Sequence, residues 1–111
     1  MATQTIVQGQ ALIDNNNLDL TNVIANYGAF DSLEIELNTI NDVNALKWKY
    51  PDTTGYNKIN VVGDKYYFDF TSAQTINLLG IYKLEFSCIY TENSIVKKIL
   101  TNYLEVTKEG K

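Results

Sequence analysis

Along most of the chain, hydrophobic and polar residues alternate with a period of two, which puts one set of side chains on each face of an extended strand. In residues 32–38, Leu33, Ile35 and Leu37 face one way, and Ser32, Glu34 and Glu36 the other. Leu46, Trp48 and Tyr50 stand likewise against Lys47 and Lys49, and Tyr66, Phe68 and Phe70 against Lys65, Tyr67 and Asp69. The longest run sets Tyr82, Leu84, Phe86, Cys88 and Tyr90 inward, with Ile81, Lys83, Glu85, Ser87 and Ile89 outward. A short run lies over residues 59–62. The last strand, residues 94–107, breaks register: Val96, Leu100, Leu104 and Val106 share a face only if Lys98 and Asn102 interrupt it. One extra residue near Lys97 and Lys98, a bulge, resets the pleat and reconciles the two halves.

The punctuation agrees. Residues 51–55 (Pro-Asp-Thr-Thr-Gly) are a turn by composition, Gly63-Asp64 separates two strands, and residues 91–94 close a hairpin. Between Phe70 and Gly80 the alternation lapses, leaving room for one helical turn but not for a crossover helix, so a parallel β-α-β plan fails. In the first thirty residues, 3–13 and 18–24 are each strand-like, separated by the polar Asp14-Asn15-Asn16-Asn17 loop. The expectation is an all-β fold, an immunoglobulin-like antiparallel β-sandwich of about seven strands in one domain over residues 1–111. In order, the N-terminal stretch is strand A, 32–38 B, 45–50 C, 58–62 D, 65–71 E, 80–91 F and 94–107 G. Trp48 then falls on strand C, where such sandwiches bury a tryptophan. Tyr82 falls at a tyrosine-corner position, its hydroxyl reaching backbone near residues 73–77. The alternative is that both are simply core aromatics. The expected core is Leu33, Ile35, Leu37, Trp48, Phe68, Phe70, Tyr82, Leu84 and Phe86.

Charge and composition narrow the chemistry. The chain of 111 residues is 45% hydrophobic and 20% charged, the balance of a folded domain. Its nine positive charges are all lysine and its net charge is −4. With no histidine, no Ser-His-Asp triad, Cys-His dyad or histidine metal site can be built. An acidic chain without arginine is poorly suited to phosphate and nucleic acid. A single cysteine, Cys88, forms no intrachain disulfide, and neither a secretory leader nor a stretch long enough to span a membrane is legible. The expectation is a protein made in a cytoplasm.

Several candidate constellations read more simply as structure. The Asp14–Asp19 loop is dense in oxygen ligands, but a calcium loop of the EF-hand type needs glycine and glutamate where Asp19 and Ala25 stand, so a solvated turn is expected. Glu34 and Glu36 resemble a carboxylate pair, yet exposed strand charges look the same. Cys88 faces inward and is expected to be inert. Ser32, Ser72, Ser87 and Ser94 lack the spacing of an activated nucleophile. Lys47, Lys49, Lys65, Lys83, Lys97 and Lys98 are interleaved with aromatics as in single-strand nucleic-acid binders, but Asp64, Asp69, Glu85 and Glu92 interrupt the stripe. No catalytic, metal or cofactor site is expected. Interface residues are: Thr3, Thr5, Ile6 and Val7 lie in an uncharged segment, residues 1–13, suited to pairing with a neighbour's sheet edge or to closing its own sandwich. Tyr27, Tyr56 and Tyr67 are candidate exposed aromatics.

A resemblance sharpens this. Trp48, the run Gly63-Asp64 with Tyr66, Phe68, Phe70 and Thr71, the step Thr75, Leu78, Gly80, Tyr82, Leu84 and Glu85, and the final Leu104 and Val106 resemble the immunoglobulin-like domains of tailed-phage virion proteins. The likeness covers the last two-thirds of the chain. It is similar to capsid auxiliary or decoration proteins and to the N-terminal domain of phage baseplate upper proteins, which continue into a long C-terminal region. A/T-rich crAss-like phages would supply the composition. The resemblance implies a non-enzymatic protein of the virion that binds the major capsid protein or other virion structural proteins in many symmetry-related copies, without nucleic acid or membrane. A tail or baseplate adaptor is the alternative. Another is a carbohydrate-binding adhesion module using Trp48 or the Tyr56 loop as a stacking platform, which requires Trp48 to be exposed.

Overall fold

The computed structural model of the chain describes residues 3–13, 16–90 and 95–108, with residues 95–100 described by backbone alone. The expected turn at residues 91–94, including Ser94, and the loop residues Asp14 and Asn15 lie outside the described residues. The alternating segments form strands: β1 (Thr3–Val7), β2 (Asn17–Asp19), β3 (Ser32–Thr39), β4 (Asn44–Tyr50), β5 (Asn57–Lys58), β6 (Asn60–Val62), β7 (Lys65–Tyr67), β8 (Gly80–Tyr90) and β9 (Ile95–Thr107). Two short helices interrupt them, α1 (Thr21–Tyr27) and α2 (Ser72–Thr75). A six-stranded sheet in the order β1-β9-β8-β3-β4-β5 curls as a half-barrel, and β2-β7-β6 form a smaller antiparallel sheet. Among the described residues no helix is long and apolar enough to cross a membrane.

The fold is mostly β, as the alternation implies, but the large sheet is mixed rather than antiparallel. β1 runs parallel to β9, with Ile6 beside Val106, and β4 pairs in parallel with β5. Alternation sets which face a side chain takes and is silent on strand direction, so these pairings lie beyond it. β3, β4, β8 and β9 are antiparallel neighbours. In the β8–β9 ladder Phe86 faces Leu100 while Ser87 faces Lys98, so Ile99 is the extra residue of a bulge one position beyond the one expected.

Residues 18–24 are the main departure. Only Asn17–Asp19 is strand; α1 follows directly. The Asp19 carboxylate accepts hydrogen bonds from the Thr21 backbone N–H at 3.0 Å and hydroxyl at 2.6 Å, which turns the chain out of its extended path. That pairing holds the Asp19 carboxyl below its ordinary value. Leu20, fully buried, anchors the turn, and its N–H bonds the carbonyl of Asp64 at 2.9 Å. Gly28, at φ 84°, ends the helix with its N–H on the carbonyl of Ile24. α2 is the expected single turn. Thr71 and Gln74 cap it reciprocally, side chain to backbone in both directions.

The inward residues meet between the layers. Leu33, Ile35, Leu37, Trp48, Phe68, Phe70, Tyr82, Leu84 and Phe86 are all buried, joined by Ile6, Leu12, Leu20, Cys88, Leu104 and Val106. Trp48 packs against Phe70 at 5.0 Å and Phe68 at 5.9 Å between ring centroids, and Phe68 against Phe86 at 5.5 Å. These tilted and edge-on contacts add to the stabilisation from burial. The indole N–H of Trp48 donates to the Asp69 carbonyl at 3.2 Å, tying β4 to the segment that follows β7. The Tyr82 hydroxyl accepts from the Leu79 N–H at 3.0 Å and donates to the Leu79 carbonyl at 3.3 Å. The corner bond therefore lies three residues upstream rather than at residues 73–77, because Gly80 turns the chain back beside the ring.

Phe70→Ala is expected to lower unfolding free energy by about 3–5 kcal/mol in urea titrations, since it empties space beside Trp48. Tyr82→Phe, which removes only the corner bonds, is expected to cost about 1 kcal/mol. Equal losses from the two variants would contradict this packing.

Candidate functional site

The inward parity that builds the core gives way to amide side chains where β1 and β2 form the adjacent edges of the two sheets. Gln4 stands beside Leu104 in the β1–β9 ladder, and Asn102 stands opposite Leu84 in the β8–β9 ladder. Both therefore occupy positions where Ile6, Leu104 and Val106 are apolar and buried. Between them opens a cleft of about 310 Å³, which Asn16 and Asn17 enter from the side of the small sheet. Its floor is Phe68, Leu84 and Phe86, and Thr3 and Tyr103 stand at its rim. Gln4 Nε2 donates to Asn16 Oδ1 across the mouth at 3.4 Å, and the Asn16 carbonyl accepts from the Phe68 N–H at 3.1 Å. The Nδ2 of Asn16 is buried without a hydrogen-bond partner among the described residues. Every described lining residue is uncharged. Sequence reading registered Asn102 only as a break in an apolar row; that break was the available signal for this cleft.

The outer face of the large sheet carries the charges that alternation turned outward. Glu34 pairs with Lys49 at 3.4 Å, and Glu36 stands opposite Lys47. The Asn38 carboxamide donates to both Glu36 and Glu85. Glu34 is thus engaged in a cross-strand ion pair, and Glu36 in a hydrogen bond along its own strand. Lys47 and Lys49 hold their ammonium groups 4.6 and 5.3 Å from the centre of the Tyr56 ring, so that half-buried ring meets cations rather than open solvent. Trp48, 1% exposed, offers no face for a sugar to stack on. Among the described residues no group of three thiol or carboxylate side chains converges as a metal site.

The N-terminal interface residues divide. Thr3, Thr5 and Val7 are exposed on β1, whereas Ile6 is 2% exposed and belongs to the chain's own core, because β1 seats on β9. The outward N–H of Val7 is taken by Gln10 Oε1 at 3.1 Å, which closes one end of the edge strand to further pairing. Tyr27 is exposed on α1, and Tyr67 is half-buried in β7 between β2 and β6.

A second surface escaped sequence reading almost entirely. At the end of the large sheet where β3 leaves and β8 begins, Ile40, Val43, Leu79 and Ile81 are all more than half exposed. Thr39 pairs with Tyr82, which places Ile40 and Ile81 one step beyond that rung, and the Thr39 N–H donates to the Val43 carbonyl. Gln8 Nε2 reaches the carbonyls of Ile76 and Leu78, bringing exposed Val7 and Ile76 to the same end. Ile81 was expected to face outward and Val7 to lie at an interface; Ile40 and Val43 sit in a hairpin turn and carry no periodic signal.

Cys88 is fully buried, and loss of solvation pushes its thiol up to about 11. The thiolate is the reactive form, so Cys88 should react with a disulfide reagent at neutral pH only as fast as the domain unfolds, and immediately in denaturant. Rapid labelling of the native protein would contradict its burial. Compared with family models, with curated proteins and with solved structures, the chain finds no match in any of the three.

Proposed function

We propose that the chain is a non-enzymatic structural protein of a tailed-phage virion, an accessory domain that binds the major capsid protein or a neighbouring shell protein and reinforces adjacent subunits. The observation that carries this reading is the aliphatic end formed by Ile40, Val43, Leu79 and Ile81 with Val7 and Ile76. Exposed apolar side chains gathered at one end of a small domain mark a surface that another protein covers. Such burial contributes roughly 25 cal/mol per Å². Many symmetry-related copies on a shell add avidity that one contact lacks. The net charge of −4 suits the outside of a particle better than its DNA-filled interior.

The finer fold in this reading is an immunoglobulin-like sandwich of the variable type. The order β9-β8-β3-β4-β5 corresponds to G-F-C-C′-C″, and β2-β7-β6 to B-E-D, with β1 added beside G. Ser32–Thr39 is then strand C and Trp48 lies on C′, one strand later than the lettering drawn from alternation. The Tyr82 bond to Leu79 supports the same frame. The parallel pairing of β5 departs from it.

Quantitative mass spectrometry of purified virions of the phage that encodes the chain is expected to find it in hundreds of copies per particle. A handful to dozens would replace the capsid assignment with a tail or baseplate adaptor, and absence from virions would remove the reading altogether. Ile81→Lys is expected to abolish incorporation while leaving the domain folded, because it puts a charge into the docking end without touching the core.

A further inference from the structure

We propose that the chain pairs with a second copy of itself along the edge of β1, the two strands running antiparallel about a two-fold axis at Gln4. This goes beyond the docking reading and does not depend on it, since it uses the backbone of Thr3 and Thr5 rather than the aliphatic end. The first support is the state of that edge. β1 closes one side of the large sheet and is seated on β9 by its other side. Alternate residues of a strand point their N–H and C=O groups to opposite sides. Just past β1 the Gln8 N–H donates to the Thr107 carbonyl, so the even-numbered residues bond β9 and the odd-numbered ones point away. Thr3, Thr5 and Val7 are that outward set, and all three are exposed. A row of main-chain donors and acceptors facing solvent is a template for another strand.

The second support is that β1 lacks what blocks the other edges. It is five residues long, and residues 1–13 contain no charged side chain and no proline. At the far edge of the large sheet β5 has two residues and ends on Lys58. In the small sheet β2 has three and ends on Asp19, and β6 has three. Brevity and charge keep an edge from pairing, and β1 has the least of both.

The third support selects the partner and the register. Both outward groups of Val7 are already used: its N–H donates to Gln10 Oε1 at 3.1 Å, and its carbonyl accepts from the Gln10 N–H at 3.0 Å. The open stretch is therefore Thr3 and Thr5 on either side of Gln4, which is its own complement. Thr3 opposite Thr5 of the second copy forms a hydrogen-bonded pair, and the two-fold axis repeats it, so the N–H and C=O groups of both threonines are satisfied. With the axis at Thr5 instead, Thr3 would face Val7, whose groups are taken. At the axis Gln4 meets its copy as a non-hydrogen-bonded pair, with Cα atoms about 4.5 Å apart. A carboxamide both donates and accepts, so two of them pair with each other. The long 3.4 Å contact of Gln4 with Asn16 is a weak competitor for that pairing. With each chain at −4, an uncharged seam is where two copies approach at least electrostatic cost.

Sedimentation equilibrium of the full chain from micromolar to millimolar concentration, with NMR of mixed isotopically labelled and unlabelled chain, tests this. A reversible dimer is expected, with an intermolecular Hα–Hα contact between Gln4 and its copy. The Thr3 and Thr5 amide protons should gain protection from exchange as concentration rises. Thr3→Pro and Thr5→Pro each remove an outward N–H and no bond to β9, and each is expected to weaken the dimer about tenfold or more. Retained protection of the Gln4, Ile6 and Gln8 amides in those variants shows that β1 keeps its seat. Ile81→Lys should leave the dimer intact, which separates this contact from the docking surface. A chain that stays monomeric throughout overturns the proposal, and if its Thr3 and Thr5 amides become protected only on virions, the edge takes a strand of another virion protein. The proposal is also overturned by a dimer that both proline variants leave unchanged, or by one that Ile81→Lys disperses and that lacks the Gln4 contact.

Discussion

The burial of Trp48 between the two sheets is the constraint on which the other features depend. With its indole packed on Phe68 and Phe70 and its N–H on the Asp69 carbonyl, the facing of β4 is settled. A slip of one residue would turn every side chain of the strand to the opposite face. Through the ladders, Trp48 opposite Ile35 and Ile35 opposite Phe86 carry the same facing into β3 and β8. The Glu34–Lys49 pair, the Glu36–Lys47 rung and the Asn38–Glu85 bond are the outward counterpart of that inward set. The charged face is therefore a consequence of core register, and its ion pairs, partly exposed, add little stability of their own.

Where this aromatic packing ends, the space between the two sheets changes character. On the β5 side the large sheet is tied by the indole bond to the segment after β7, and by Asn57, which links the Lys47 carbonyl to Gln74, to α2. On the β1 side the long Gln4–Asn16 amide contact spans the mouth, and Gln4 and Asn102 stand at the positions in register with Ile6 and Leu104. The domain thus has an apolar interior bordered by a polar cleft whose described lining residues are uncharged. Its exposed aliphatics collect elsewhere, at the end where β3 leaves and β8 begins.

Much of the fold was legible because burial imposes a two-residue period. The inward sets of β3, β4 and β8 could be read from alternation, and the lapse after Phe70 correctly left room for one helical turn. Residues 18–24 misled because Leu18 and Leu20 alternate with polar residues and Val23 and Ile24 favour strands, while the side-chain bonds of Asp19 and the burial of Leu20 bend the backbone into α1. Local propensity yields to such tertiary anchors. The parallel seat of β1 was not legible, because strand direction leaves no mark on a period-two pattern; that is why Ile6 read as a surface residue. The cleft was visible only as an unexplained Asn102, since a lone polar residue on an inward face looks like an error in the pattern. The aliphatic end was hidden because Ile40, Val43 and Leu79 lie in turns, where exposure depends on what the rest of the chain covers.

Hydrogen exchange and nuclear Overhauser contacts of the Trp48 indole N–H in the native protein test the central packing most directly. The account predicts an indole proton protected from exchange and in contact with the Phe70 ring and the Asp69 backbone, with protection lost only on global unfolding. An indole proton that exchanges as fast as in a short peptide, or shows no contact to residues 68–70, would contradict it.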